Sequence, residues 1–121
     1  MDQSPITRDE YIRSVLNTYL QTPGAAGVVR RPDRVQAEQW YGRGIPLSTV
    51  KNAMVLAVFR RLFRAPDAPP LNTIRSLAYF SPVIEEVLEH RISPQYFQYA
   101  RGKISRFLEA RAAEAPRLHR G

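Results

Sequence analysis

An all-α fold, built as a single compact bundle of five or six helices, is the architecture this sequence predicts. Apolar residues recur at three- and four-residue spacing in separate stretches, and most of these stretches open on a helix-starting signal. No run alternates at period two for long enough to make a strand; Ala25 to Val29 comes nearest and is too short. No internal repeat is visible.

The first helix is predicted from Thr7-Arg8-Asp9-Glu10, a capping box with a hydroxyl three residues ahead of a glutamate and acids where the helix dipole favours them. Tyr11, Ile12, Val15, Leu16, Tyr19 and Leu20 follow at helical spacing, and Thr22-Pro23-Gly24 stops the pattern. Arg31-Pro32 opens a second helix, with proline in the first turn, where its missing N–H costs little. Val35, Ala37, Trp40 and Tyr41 form its apolar stripe, and Gly42 and Gly44 offer left-handed positions to end it. Ser48 is a natural N-cap for a third helix from about Thr49 to Arg64, with Val50, Ala53, Met54, Ala57, Val58 and Leu62 on its apolar face.

Residues 65–73 are proline-dense and predict a loop. Ile74 to Phe80 predicts a short helical stretch, after which Ser81-Pro82 restarts the chain as cap and first turn of a helix carrying Val83, Ile84, Val87 and Leu88. Ser93-Pro94 repeats the device, and the last helix is expected to bury Tyr96, Phe97, Ala100, Ile104, Phe107 and Leu108. The expectation is one helical domain over residues 1–114, followed by a flexible basic tail over 115–121.

A chain of 121 residues has the length of one domain and can bury a core without staples. Cysteine is absent, which excludes disulfides, thiolate metal sites and a cysteine nucleophile within it. The longest apolar run, Ala53 to Phe59, is far shorter than the roughly eighteen residues a membrane span needs. The polar start Met1-Asp2-Gln3-Ser4-Pro5 resembles neither a signal nor a transit peptide, so a cytoplasmic protein is expected.

Charge is the most informative feature for function. Of eighteen basic residues sixteen are arginine, and the net charge is +7. Residues 28–64 and 91–121 are strongly basic, while 65–90 hold Asp67, Glu85, Glu86 and Glu89 against Arg75 alone. Arginine pairs with phosphate through a planar two-pronged donor, so this distribution points to a polyanion.

Four constellations follow. Gly44-Ile45-Pro46-Leu47-Ser48 invites a helix-turn-helix reading in which Ser48, Thr49, Lys51 and Asn52 face DNA, Asn suiting adenine and Lys guanine. Against it, Ala53 to Phe59 is apolar on every side, the pattern of an enclosed core helix. Arg60, Arg61 and Arg64 end the same helix, where they either grip phosphates or simply complement the dipole as a solvated end. Arg101, Lys103 and Arg106 with Tyr96, Phe97 and Tyr99 combine cations and rings, the ingredients for stacking unpaired bases; Tyr99 and Arg106, seven apart, share a face. Glu85, Glu86, Glu89 and His90 are the one cluster of acid-base or metal-binding types, read as a surface acidic face because the paired Glu-x-x-His elements of diiron bundles are missing. No nucleophile elbow, phosphate-cradling Gly-rich loop or oxyanion hole is legible, so no enzyme, metal or cofactor is expected.

Trp40, Gly44-Ile45, Val50, Ala53 and Tyr79 occur in the order of an aromatic, a Gly-Ile turn, a helix with spaced Val and Ala, and a Tyr-containing helix. Over residues 40–88 the chain thereby resembles the C-terminal domain of the DnaD family of bacterial replication-initiation helpers. That family's Tyr-x-x-x-Ile-x-x-x-Trp signature maps onto Tyr79, Val83 and Val87, with only the tyrosine retained. Ile74 to Phe80 with Pro82 to Glu86 is also similar to small proteins of bacterial mobile-element neighbourhoods.

The function expected from the sequence is a non-enzymatic nucleic-acid-binding accessory protein, for DNA more than RNA, linked to replication or a mobile element. Its expected contacts are Lys51, Asn52, Arg60, Arg61, Arg64, Tyr99, Arg101, Lys103 and Arg106, with residues near 60 and 103 folded into one cationic face. The alternative is a protein-interaction adaptor that docks through the acidic segment or through exposed rings of Trp40, Tyr79 or Phe80.

Overall fold

In the computed structural model, which describes residues 6–118, the capping box at Thr7 closes from both ends. Thr7 Oγ1 accepts from Glu10 N at 3.1 Å, and Glu10 Oε1 accepts from Thr7 N at 3.0 Å. Helix α1 (Arg8–Leu20) then buries Tyr11, Ile12, Val15, Leu16 and Tyr19 along one stripe. Its partner α2 (Arg31–Gly42) starts at the expected Arg31-Pro32 and buries Ala37 and Trp40, whereas Val35 stays exposed. Gly44, at φ +76°, turns the chain out of α2 in the left-handed region that favours glycine.

Helix α3 (Leu47–Leu62) starts at Leu47, ahead of the expected Ser48 cap. The Pro46 carbonyl takes the first bonds, from Thr49 N and Val50 N, and no side chain caps this end. α3 is the central element: α1, α4 (Ser81–Glu89), α5 (Pro94–Leu118) and the 3-10 turn Leu77–Phe80 all pack on it. It buries Val50, Ala53, Met54, Leu56, Ala57 and Val58, as an enclosed helix should. Among the described residues α5 packs extensively on α3 alone. Its first turn is capped by Ser93 Oγ, which accepts from Tyr96 N at 3.1 Å. Only Phe97 and Ala100 of the six residues expected in its core are fully buried. Its backbone remains helical to Leu118, beyond the expected start of the tail at 115, and residues 119–121 lie outside the described residues.

The described residues contain no strand, only an isolated bridge between Ala25 and Ile74 that ties the end of the proline-rich loop to the α1–α2 connection. The fold is thus an all-α bundle of five helices. Among the described residues no helix is long and apolar enough to cross a membrane.

One core contact makes stability sensitive to alkali. Buried Tyr11 donates its hydroxyl to Ile45 O at 2.7 Å, and burial pushes the phenol from its ordinary value of 10 up to about 12. The fold therefore favours the neutral phenol. Its stabilisation is whole below pH 10 and disappears as pH rises toward 12, about 3 kcal/mol in all. Tyr11→Phe should cost about 1 kcal/mol near neutrality but flatten the decline above pH 10. Denaturant titrations at a series of pH values check this, and an unchanged slope in the variant would refute it.

Candidate nucleic-acid interface

The arginines at the end of α3 are engaged within the fold. Arg60 makes a two-pronged pair with Glu86, Nη1–Oε1 2.8 Å and Nη2–Oε2 2.5 Å. Arg61 donates to the Asn72 carbonyl and to Tyr79 Oη at 3.4 Å, and its guanidinium lies 5.7 Å from the Tyr79 ring centre. Arg64 donates to Pro69 O at 2.6 Å. Arg61 and Arg64 therefore fasten the proline-rich loop to α3. Gly24 permits this packing, because a Cβ on its φ +88° backbone would stand 2.9 Å from Arg61 Nε.

The acidic segment mirrors the basic one. Arg43 holds Glu85 as Arg60 holds Glu86, at 2.6 and 3.2 Å. The guanidinium hydrogen bonds keep both carboxyls below the usual carboxylate range. Both pairs are exposed to solvent, where such bridges contribute little to stability. Their consequence is electrostatic: one arginine from each of α3 and the α2–α3 turn is neutralised.

Of the residues near 60 and 103 expected to share one cationic face, Lys103 comes to the end of α3, over Phe63, whereas Arg60, Arg61 and Arg64 are held by partners of their own. α5 meets α3 along a seam and places its cations on both flanks of it. Arg101 and Ser105, one turn apart, line a groove with Lys51. Asn52, proposed as a base reader, instead accepts from Arg101 Nη2 at 2.6 Å through Oδ1, and α3 is enclosed by its neighbours, so the geometry does not favour the groove-reading alternative.

Tyr99, Lys103 and Arg106 follow the opposite flank, spaced by four and then three residues. Here the sequence reading missed the main feature. Phe59 of α3 and Phe63, four residues on at its C-terminal cap, join Tyr96, Tyr99 and Phe107 of α5 in one aromatic cluster, with ring centres 5.1 to 6.3 Å apart between neighbours. Three of these rings reach solvent: Tyr99 at 53%, Tyr96 at 39% and Phe63 at 38% exposure. The Lys103 ammonium stands 5.3 Å from the Phe63 ring centre and the Arg111 guanidinium 5.6 Å from that of Phe107. Arg106 is exposed and lies back toward Gly102.

No protein-family model, curated protein or solved structure matches this chain. Its surface chemistry is read from its own residues. Tyr79, placed by the DnaD resemblance at the head of a helical motif, lies in the 3-10 turn and precedes the first residue of α4, so it does not share one continuous helix with Val83 and Val87. Trp40 and Phe80 are buried, which leaves Tyr79 as the exposed ring of the three that an adaptor was expected to use.

Proposed function

We propose that this protein is a non-enzymatic nucleic-acid-binding accessory protein that holds unpaired bases on the aromatic flank of the α3–α5 seam. The observation that carries the reading is the half-exposed cluster of Phe63, Tyr96 and Tyr99, with Lys103 over Phe63 and Arg111 over the adjoining Phe107. Rings offer stacking faces to any base, and cations beside them meet the phosphates of the same strand. A duplex, whose bases are already stacked, gains only the charge contacts. DNA is preferred to RNA through the resemblance to the DnaD-type domain, which also supplies the replication setting; an RNA strand is the control. The adaptor reading has less support, since Glu85 and Glu86 are already paired and Tyr79 lies under Arg61.

Fluorescence anisotropy with a labelled single strand of about 20 nucleotides tests this at low salt. Tyr99→Ala is expected to weaken binding about tenfold, the worth of one lost stacking contact. Lys103→Ala should weaken it less and reduce the salt slope by about one. The wild type failing to bind at micromolar protein, or binding duplex as well as single strand, would defeat the reading.

A gain-of-function variant follows from the Glu86 pair. Arg60 lies near Tyr96, and Glu86 holds its guanidinium. Glu86→Gln removes a negative charge and releases that guanidinium toward the strand. The variant is expected to bind the same strand about threefold more tightly, with unfolding stability nearly unchanged. Weaker binding by Glu86→Gln would show that Arg60 takes no part.

A further inference from the structure

The other flank of the seam carries a site of a different kind. A groove of about 380 Å³ lies between the end of α1 with the turn that follows it, the middle of α3, and α5. Its floor is apolar, made by Met54, Val55, Val58 and Ile104, and Lys51 and Arg101 stand over it. Among the described residues no carboxylate lines it. The hydrogen bond from Arg101 to Asn52 orients the guanidinium while committing one of its five N–H donors. On the α1 side, Thr18 and Thr22 donate their hydroxyls to the Ser14 and Thr18 carbonyls, at 2.9 and 2.7 Å. That wall therefore offers acceptors, and an anionic group is directed to the two cations.

We infer that this groove binds a small amphipathic anion, with an apolar body on the Met54–Ile104 floor and a carboxylate or phosphate head on Lys51 and Arg101. The volume falls in the range of small-molecule sites, and a mostly apolar lining with a few charged groups is their usual chemistry. Arginine supplies a planar donor pair for an oxyanion and lysine a point charge. The site does not overlap the aromatic flank, because residues 101 and 105 turn away from residues 99, 103 and 106 on the same helix. A simpler role exists for Lys51 alone: α1 has no basic residue in its last turn, and a cation opposite that end complements the helix dipole. It leaves Arg101 and the apolar floor unexplained, and the experiment separates the two roles.

Isothermal titration of the full chain with decanoate and with decyl phosphate is the test, with decyltrimethylammonium and acetate as controls for charge and for the apolar body. Saturable one-to-one binding of at least one of the two long anions, and of neither control, is expected. Binding by decyl phosphate alone upholds the site and fixes the head as phosphate. Lys51→Ala and Arg101→Ala should each weaken binding about tenfold, the effect of losing one charged hydrogen bond. Ser105→Trp, which fills the mouth from the exposed side of α5, should abolish it. Affinity unchanged in Lys51→Ala with a lowered Tm would return Lys51 to the α1 terminus and overturn the proposal. So would equal uptake of the cationic amphiphile, or failure of both long anions to bind. Displacement of decanoate by the single strand would assign the groove to the nucleic-acid path and also overturn it, whereas loss of strand binding in Tyr99→Ala leaves the titration unaffected.

Discussion

Asp33→Ala is expected to lower the free energy of unfolding by about 3 kcal/mol, the sum of a lost helix cap and a stranded buried donor. Asp33 is the one buried charged residue among those described, at 2% exposure. Its Oδ2 accepts from Arg30 N at 2.9 Å at the start of α2, and its Oδ1 accepts from Leu77 N at 2.8 Å, 44 residues along the chain. The carboxylate therefore satisfies two backbone donors and joins α2 to the 3-10 turn that closes the proline-rich loop. Alanine leaves both N–H groups without that partner, and the Leu77 donor is buried away from water. Asn keeps one acceptor oxygen and presents an NH₂ where the second oxygen stood, so Asp33→Asn should lose about half as much. Urea unfolding followed by circular dichroism gives both values; a loss in Asp33→Ala under about 0.5 kcal/mol, typical of a surface change, would mean that the bridge contributes nothing.

Phe80→Ala should cost about 4 kcal/mol. Phe80 is fully buried and packs edge-on against Tyr19 at 6.4 Å and Tyr79 at 5.1 Å between ring centres. Removing its ring deletes those contacts and leaves a cavity under the same 3-10 turn that Asp33 anchors. The two substitutions share that turn, so their effects should not add: once the turn is loosened by one, the second removes less than it does alone. A double-mutant cycle with a coupling of about 1 kcal/mol is the expected result. Full additivity would show that the carboxylate and the ring stabilise the bundle separately.

These two residues also show where a linear reading stops. The helices were legible because their signals are local: the Thr7 capping box, the Arg31-Pro32 start and the Ser93-Pro94 cap act within a few residues of themselves. Asp33 carried a local signal too, as the third residue of a helix, yet its bond to Leu77 N depends on how two distant segments pack. Arg60, Arg61 and Arg64 were legible as a cationic helix end, but their partners Glu86, Asn72 and Pro69 lie in other segments, and free charge is what an interface needs. Leu47 pre-empted Ser48 as the start of α3 because the Pro46 carbonyl accepts the first amide bonds directly.

The aromatic cluster was half visible. Tyr96 and Tyr99 stand among cations in the sequence, whereas Phe59 closes an apolar run and Phe63 lies beyond it, although the two are one turn apart. A matching aromatic spacing on two helices was the available signal. Which rings reach solvent depends on the rotation of α5 against α3, a property of the pair and of neither helix alone.

α5 leans on a single neighbour, and this sets an order of strength within the molecule. The part of the bundle with least support should detach first, at a free energy below that of global unfolding, while α1, α2 and α3 stay assembled. Both surfaces assigned here straddle the joint between that detachable arm and the rest. Any molecule seated across it closes the arm down, so occupancy by one guest would favour the other even though the two never touch.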